Sequence, residues 1–192
     1  MITQDNSEYK TYSGVEFNDI YKEDKFYKIM NEYEEHNDMK YKDGLNIDVK
    51  EFNPHGQCLS GGIYFAKGDI VYTFVYIGPF IREVTIPNDA RVHFEGNKFK
   101  ADRVILGPRR KLTYNDYLEA VQCRVHNVQF VPEIYRTEEL YIAAASHMGC
   151  ALKYISEISK TKKVCETAIR SYAGAIKYIP EKLITKEMCI DV

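Results

Sequence analysis

The sequence has no tryptophan, no long apolar run and no clear excess of charge of either sign. Its 26 Lys and Arg residues nearly balance its 28 Asp and Glu residues, which leaves a net charge of −2. A chain without a basic excess lacks the electrostatic footprint of a nucleic-acid-binding protein. No apolar stretch is long enough to cross a bilayer, and the opening residues MITQDNSEYK are too polar for a signal peptide. We therefore expect no nucleic-acid partner and no membrane partner.

Cysteine occurs five times, at positions that follow no disulfide framework. An odd number of cysteines in a chain without an export signal predicts free thiols in a reducing compartment. The pattern Cys123-x-x-His126 and His147-x-x-Cys150 resembles a zinc-ligand spacing in inverted order. These positions are equivalent in a repeat described below, however, and the third copy of the repeat carries residues that cannot bind a metal. Packing between repeated helices therefore explains the pattern, and we predict no metal site.

The residues that are present favour a folded chain of class α+β. Hydrophobic residues make up 45% of the sequence and charged residues 28%, which is typical of globular proteins. Residues 1–25 are polar and without periodicity, and we expect a loose leader there. Residues 26–112 contain short apolar runs separated by turn residues, and they predict a β-rich α+β domain. Residues 113–192 carry helical patterns without strand signals.

Within the β-rich domain we expect short strands and one helix. The apolar runs predict strands at 26–30, 63–66, 80–86, 90–95 and 103–106, and the charged stretch 31–42 predicts a solvated loop or a short helix. Asp69 is placed to cap a helix that runs to Gly78, because three apolar residues between them fall on one face.

The C-terminal part repeats with a period of about 24 residues. Phe130-Val131-Pro132, Tyr154-Ile155-Ser156 and Tyr178-Ile179-Pro180 recur at that spacing, each after a helix rich in small residues that we expect at 117–128, 141–152 and 165–176. Thr137 and Thr185 stand where helix N-caps belong. A fixed period of this length is typical of a helical array. We predict three units of about 24 residues and a truncated fourth.

The stretch 52–65 is the densest in unusual backbone positions and reactive side chains. His55 and Cys58 lie three residues apart, but nearness on a loop does not provide the geometry of a nucleophile and its base. A half-buried cysteine beside a turn is the alternative. Gly61 and Gly62 precede a strand, so they lack the helix N-terminus with which glycine-rich loops bind phosphate.

The segment Gly61-Gly62-Ile63-Tyr64-Phe65-Ala66 is similar to the GKGIYFA stretch of the poly-ADP-ribose polymerases, and the order of elements resembles the ADP-ribosyltransferase superfamily. The resemblance implies a degenerate fold of that kind, with NAD as the cofactor. It implies that Tyr64 stacks on the nicotinamide ring and that Tyr72 or Tyr76 closes the pocket. A core position for Tyr64 is the alternative.

Two departures separate the sequence from that superfamily. The first strand has no counterpart of the His or Arg that the family places there, and Asp102 stands where the family has a Glu near the last strand. The candidate catalytic residues are Tyr64 and Asp102. The candidate ligand-binding residues are Gly61, Gly62, Tyr64, Tyr72 and Tyr76.

A second resemblance covers most of the chain. The runs YKDGLNIDVKEFNPHGQCLSGGIYF, IREVTIPNDARV and KFKADRVILG are similar to a region shared by uncharacterised giant-virus proteins. The runs ALKYIS and AIKYIPEKLITKEMC resemble a short helical repeat of the same viruses. The resemblance implies a viral protein in the host cytoplasm or the virion.

Because repeat arrays present extended surfaces and no complete catalytic set is visible, we predict a non-enzymatic protein that binds a host or viral protein. Such a protein needs no cofactor. The alternative is an NAD-dependent ADP-ribosyltransferase, or a pseudoenzyme of that fold.

Overall fold

The computed structural model describes residues 10–55, 58–186 and 188, and it confirms the α+β class. The chain divides into two compact units, Met1–Lys111 and Leu112–Val192, which we call the sheet unit and the helical unit. No helix among the described residues is long and apolar enough to cross a membrane.

The sheet unit contains eleven short strands and two α-helices in its described part. They are β1 (Thr11–Ser13), α1 (Gly14–Ile20), β2 (Phe26–Met30), β3 (Glu35–His36), β4 (Met39–Lys40), β5 (Gly44–Ile47), β6 (Ile63–Lys67), α2 (Gly68–Val71), β7 (Phe80–Thr85), β8 (Arg91–Phe94), β9 (Phe99–Ala101), β10 (Arg103–Leu106) and β11 (Arg110–Lys111). A 3-10 helix, Tyr72–Ile77, continues α2, so the helix predicted from Asp69 to Gly78 is present in mixed form.

Most strands join one antiparallel sheet. Its order is β1-β8-β9-β6-β2-β7-β10-β5, with β11 also paired to β7, and β3 and β4 form a separate hairpin. Strand β2 pairs with β7 along its whole length, from Phe26 opposite Val84 to Met30 opposite Phe80. The register therefore depends on contacts between residues far apart in the chain, which local sequence patterns do not encode.

The predicted leader is wrong for the residues that the structure describes, and residues 1–9 lie outside them. Tyr12 of β1 pairs opposite Val92 of β8. Ser13 and Glu16 form a capping box, in which each side chain accepts a hydrogen bond from the backbone N–H of the other. Phe17, which follows the box, is only 1% exposed. The signal Ser-x-x-Glu was present in the sequence, but the apolar positions around it were too few to predict a buried helix.

An aromatic cluster forms the centre of the sheet unit. The Phe17 ring centroid lies 4.9 Å from that of Phe26 and 5.2 Å from that of Phe99, and the rings of Phe65 and Phe99 stack at 5.6 Å. Edge-to-face and offset pairs of this kind are favourable beyond the area that they bury. Helix α1 thus contributes directly to the core that holds β2, β6 and β9.

The stretch 31–42, expected as a loop or helix, instead contains the hairpin β3–β4. Asn37 and Asp38 both have positive φ, as a two-residue type I′ turn requires. Arg82, 4% exposed, anchors the start of this segment through Glu34, whose carboxylate lies 2.7 Å from the Arg82 Nε. Hydrogen bonding to Glu34 raises the pKa of Arg82, although burial opposes it.

Within its described residues, the helical unit contains three complete α-helices, each followed by a six-residue and then a three-residue 3-10 helix. The α-helices are α3 (Tyr114–Cys123), α4 (Glu138–His147) and α5 (Lys162–Ser171); the 3-10 helices are Val125–Phe130, Glu133–Tyr135, Gly149–Tyr154, Glu157–Ser159, Ala173–Tyr178 and Glu181–Leu183. The three α-helices begin at equal intervals along the chain. Each such group of three helices is called a unit repeat below.

The helix bounds predicted at 117–128, 141–152 and 165–176 are wrong. Each α-helix begins three residues earlier, because a threonine caps it by accepting a hydrogen bond from the backbone N–H three residues on. The three caps are Thr113, Thr137 and Thr161. Each helix also ends five residues earlier, where a residue adopts extended φ and ψ: Arg124, Met148 and Tyr172.

Small residues allow the backbones of successive unit repeats to approach closely. Ala120, Ala144 and Ala168 occupy equivalent positions and are fully buried. A Cβ on Gly149 would lie 2.1 Å from the carbonyl oxygen of Ala168, so only glycine fits that contact. The helical unit therefore packs through short-range contacts between neighbouring repeats.

Candidate functional site

Tyr64 of β6 lines a pocket of about 200 Å³ in the sheet unit. The side chain is half-buried, and its hydroxyl lies 2.8 Å from the carbonyl oxygen of Leu59 and 3.1 Å from the carboxylate of Glu95. Burial, followed by the negative charge of Glu95, raises the pKa of Tyr64 above its ordinary value. Tyr64 is therefore a neutral hydrogen-bonding group near neutral pH.

Two lysines from the β8–β9 hairpin lie beside the Tyr64 ring. The Lys98 Nζ is 4.5 Å from the ring centroid and the Lys100 Nζ is 5.6 Å from it. Both ammonium groups face Glu95, with Lys100 at 2.8 Å and Lys98 at 3.7 Å. Burial works to raise the pKa of Glu95, but hydrogen bonds from Lys100 and from the backbone N–H of Cys58 hold it below the ordinary value. Glu95 is thus an anion shared by two cations.

Lys28 of β2 is the most deeply buried charge of the pocket lining. It is 5% exposed, its Nζ donates a hydrogen bond to the carbonyl oxygen of Tyr64 at 3.0 Å, and the Nζ lies 4.8 Å from the centroid of the Tyr41 ring. Among the residues that the structure describes, no carboxylate pairs with this ammonium. Burial lowers the pKa of Lys28 to about 8.

The rest of the lining is apolar, with a polar rim. Apolar side chains come from β2, β6 and the helical segment that follows: Ile29, Phe65, Ala66, Val71, Phe74 and Ile77. The β3–β4 hairpin adds His36 and Asn37. Burial lowers the pKa of His36, and the charges of Lys28 and Lys98 lower it further. Within the described part of the chain, the lining contains cations and neutral donors but no carboxylate.

Gly61 and Gly62 shape the backbone beside this site, and the described lining does not include them. Both have positive φ, and a Cβ on Gly61 would lie 2.4 Å from the carbonyl oxygen of Glu51. The Gly62 N–H donates to the Asp48 carboxylate at 2.6 Å. Their predicted contact with a ligand stays a prediction.

The other sequence-predicted residues fall in different places. Tyr76 lines the pocket and is 54% exposed, whereas Tyr72 is outside the described lining. The Asp102 carboxylate accepts hydrogen bonds from the backbone N–H and the Nε of Arg91, and it lies 3.5 Å from the Nε of Arg103. Asp102 therefore links β8 to the end of β9, and Glu95 is the carboxylate that meets Tyr64.

The NAD site that the superfamily resemblance implied stays a prediction. The structure gives no hydrogen bond between Tyr64 and Asp102, which are both among the described residues. A nicotinamide ring on the Tyr64 face would meet the Lys98 ammonium, and two cations in a partly buried site repel each other.

Cys58 and His55, the residues considered as a nucleophile and its base, contact different residues in the structure. Cys58 is exposed, and its Sγ lies 2.8 Å from the Lys98 Nζ, while the backbone N–H of His55 donates to the Asn53 side chain. Among the described residues, no three His, Cys, Asp or Glu side chains converge on a metal position. His126 instead makes an edge contact with the Tyr154 ring.

Sequence reasoning missed Lys28, Glu95 and Lys98. The available signal was the placement of charge inside strands: Lys28 interrupts the apolar run FYKIM, and Lys100 interrupts FKA. A charged residue at an inward position of a buried strand indicates a polar partner or a site.

A second candidate surface lies on the helical unit. Ile134 and Ile158 are 83% and 95% exposed, at the centre of the three-residue 3-10 helices of successive unit repeats. We call these two residues the isoleucine edge. Large aliphatic side chains exposed at equivalent positions of successive repeats are a candidate contact surface for a partner protein.

Comparison with known proteins gives relatives from Acanthamoeba polyphaga mimivirus. The chain is similar to the putative ankyrin repeat protein R868, at 34% identity over 94 residues, which is 45% of this chain and 47% of the relative. It is similar to the uncharacterized protein R869, at 41% identity over 66 residues, or 33% of this chain and 48% of the relative. It is also similar to the putative ankyrin repeat protein R229, at 36% identity over 87 residues, which is 41% of this chain and 28% of the relative.

The chain thus spans about half or less of the length of these relatives. No family model and no solved structure matches it. The resemblance to giant-virus proteins is confirmed in this coarse form. None of the three names concerns ADP-ribosyl transfer, so that likeness stays a prediction from the sequence.

Proposed function

We propose that this chain is a non-enzymatic interaction protein of viral type, which binds a host or viral protein through the helical unit. The names of two relatives refer to ankyrin repeats, a class of helical repeat with an extended binding surface. The isoleucine edge is the observation that carries the proposal. The host cytoplasm or the virion is the place where we expect the chain to act.

The isoleucine edge has the features of an interaction hot spot. Ile134 and Ile158 expose nearly their whole side chains, so a partner that covers them removes apolar area from water. Exposed Glu133 and Glu157 precede them at equivalent positions. A partner with apolar side chains flanked by basic ones matches this pattern of charge.

The test is capture from lysate of infected amoebae, with quantitative mass spectrometry. The full chain is immobilised as the wild type and as the double variant I134S/I158S. Each serine removes an aliphatic contact that the bound partner would bury, so we expect the amount of retained partner to fall about tenfold or more. Val49→Ser is the control, because Val49 is 73% exposed but belongs to the sheet unit.

Equal retention by the wild type and the double variant would contradict a role for the isoleucine edge. Loss in Val49→Ser as well would indicate general adhesion of apolar surface. Labelled NAD added to the same lysate is expected to label no protein in a way that depends on this chain. Labelling that the wild type causes and Tyr64→Ala does not would overturn the non-enzymatic proposal.

A further inference from the structure

We infer that the pocket lined by β2, β6 and residues 68–77 binds a small organic carboxylate, whose anionic group lies at Lys28 and whose apolar part packs on Phe74 and Ile77. The proposal concerns the sheet unit alone and does not depend on the interaction function proposed above.

The first argument is the missing countercharge. Lys28 lines the pocket, is 5% exposed and has one hydrogen bond, to the Tyr64 carbonyl oxygen. A buried ammonium without an anion is costly, and proteins normally pair such a charge. No carboxylate from the described residues supplies that pair, so an anionic ligand would satisfy the ammonium.

The second argument concerns the number of charges. The other buried or half-buried lysines near Tyr64, Lys98 and Lys100, already share the Glu95 carboxylate. Lys28 alone remains without a carboxylate partner in the described part of the pocket lining. Three lysines and the Glu95 carboxylate leave a net charge of +2 around Tyr64, but Lys28 is the lysine without a carboxylate of the described residues at ion-pair distance, so one carboxylate of a ligand would complete its pairing.

The third argument is the composition of the wall. Phe74, Ile77 and Val71 contribute apolar lining, while Asn37 and His36 offer hydrogen-bonding groups. Ligand pockets typically combine an apolar wall with a few placed polar groups. A cavity of about 200 Å³ suits a small body, such as one aromatic ring or a short branched chain.

Calorimetric titration of the full chain with benzoate tests the proposal, with benzamide as its neutral isostere and phenyl phosphate as the dianion. The wild-type chain is expected to bind benzoate about tenfold or more tightly than benzamide, because only benzoate neutralises Lys28. This comparison needs no variant, so it stands even if a substitution unfolds the chain.

Lys28→Met removes the ammonium and keeps the length of the side chain. We expect benzoate affinity to fall about tenfold or more, with benzamide affinity unchanged. Lys67→Met is the matched control: Lys67 also lies on a strand, with its Nζ 5.0 Å from the centroid of the Tyr21 ring, but it is outside the described pocket lining. Thermal unfolding verifies that both variants fold.

Three results would overturn the inference. They are equal affinity for benzoate and benzamide, undiminished benzoate binding by folded Lys28→Met, and absence of benzoate binding to the wild type at millimolar concentration. Tighter binding of phenyl phosphate than of benzoate would overturn the assignment of a single negative charge.

Discussion

The sheet unit is stabilised mainly by contacts between residues far apart in the sequence, whereas the helical unit is stabilised by contacts between neighbouring repeats. In the sheet unit, β1 pairs with β8 and β2 with β7, so these strands depend on partners far away in sequence. In the helical unit, each unit repeat uses its own threonine cap and packs small residues against the next repeat. Long-range pairing makes a unit depend on every segment, whereas repetition makes it depend on a local rule.

The two units also differ in the charge that they bury. The buried charged residues of the sheet unit are Lys28, Arg82, Glu95, Lys100 and Asp102, whereas the described helical unit buries Asp116 and Lys160. Asp116 belongs to a capping box, and Lys160 donates to the carbonyl oxygen of Tyr178 at 2.8 Å. In the sheet unit, by contrast, Lys28 lines the pocket, and Glu95 and Lys100 lie beside Tyr64, which also lines it. Chemistry is therefore concentrated in the unit with long-range pairing.

The largest expected effect comes from Phe17→Ala in the sheet unit. Phe17 is 1% exposed and contacts five other rings, so its truncation leaves a cavity in the aromatic cluster. We expect the free energy of unfolding in urea to fall by about 4 kcal/mol. Val15→Ala on the same helix, at 58% exposed, is the control and should change it by less than about 0.5 kcal/mol. If both variants behave alike, residues 10–24 act as a leader after all.

A smaller effect is expected from pH, through Lys28. Burial lowers the pKa of Lys28 to about 8 in the folded chain, below its value in the unfolded chain. Between these two values the unfolded chain binds more protons, so stability rises with pH. From pH 7.5 to 9.5 the gain should be about 2 kcal/mol relative to Lys28→Met, measured by urea unfolding of both proteins.

Lys67→Met again serves as the control and should keep the pH slope of the wild type. Above about pH 10 the stability of both the wild type and Lys28→Met should fall as pH rises, because burial raises the pKa of Tyr41 and of Tyr64 above the ordinary tyrosine value. A wild-type slope equal to that of Lys28→Met would show that Lys28 is not desolvated.

The smallest effect is expected in the helical unit, from Thr137→Ala. This change removes the hydroxyl that accepts the Leu140 backbone N–H at 3.3 Å. We expect a loss of about 1 kcal/mol of unfolding free energy, measured by urea titration with far-ultraviolet circular dichroism. Thr167→Ala, inside α5, is the control. It should be neutral or slightly stabilising, because alanine is the better helix former. Equal losses of unfolding free energy in Thr137→Ala and Thr167→Ala would contradict the stabilising effect of the threonine cap.

The organisation of the helical unit was easier to predict from the sequence than that of the sheet unit, because each repeat follows the same local pattern. The regular spacing of the repeats and the cap at Thr137 are visible without a structure. The helix ends were misplaced because Arg124 and Met148 adopt extended φ and ψ for reasons that propensity does not contain. In the sheet unit, strands such as 26–30 were predicted, but their partners were not, since register depends on distant segments.

Two of the residues predicted from the sequence, Tyr64 and Tyr76, lie in the pocket lining. The resemblance that singled out Tyr64 also pointed to Asp102, which the structure pairs with Arg91 instead. Lys28 comes from β2, whereas Glu95 and Lys98 come from the turn between β8 and β9, and no local pattern joins them. Only the antiparallel pairing of β6 with β2 and β9 assembles the site.

The threonine caps have a consequence for the length of the protein. Each unit repeat carries its own start signal, and Thr185 again accepts a backbone N–H, from Met188 at 3.4 Å. A recombination between equivalent codons of two repeats would remove or add one whole unit repeat and still join one cap to one complete helix. Crossovers of this kind keep one threonine cap for each helix, so the number of repeats can change between generations while every helix retains its start signal.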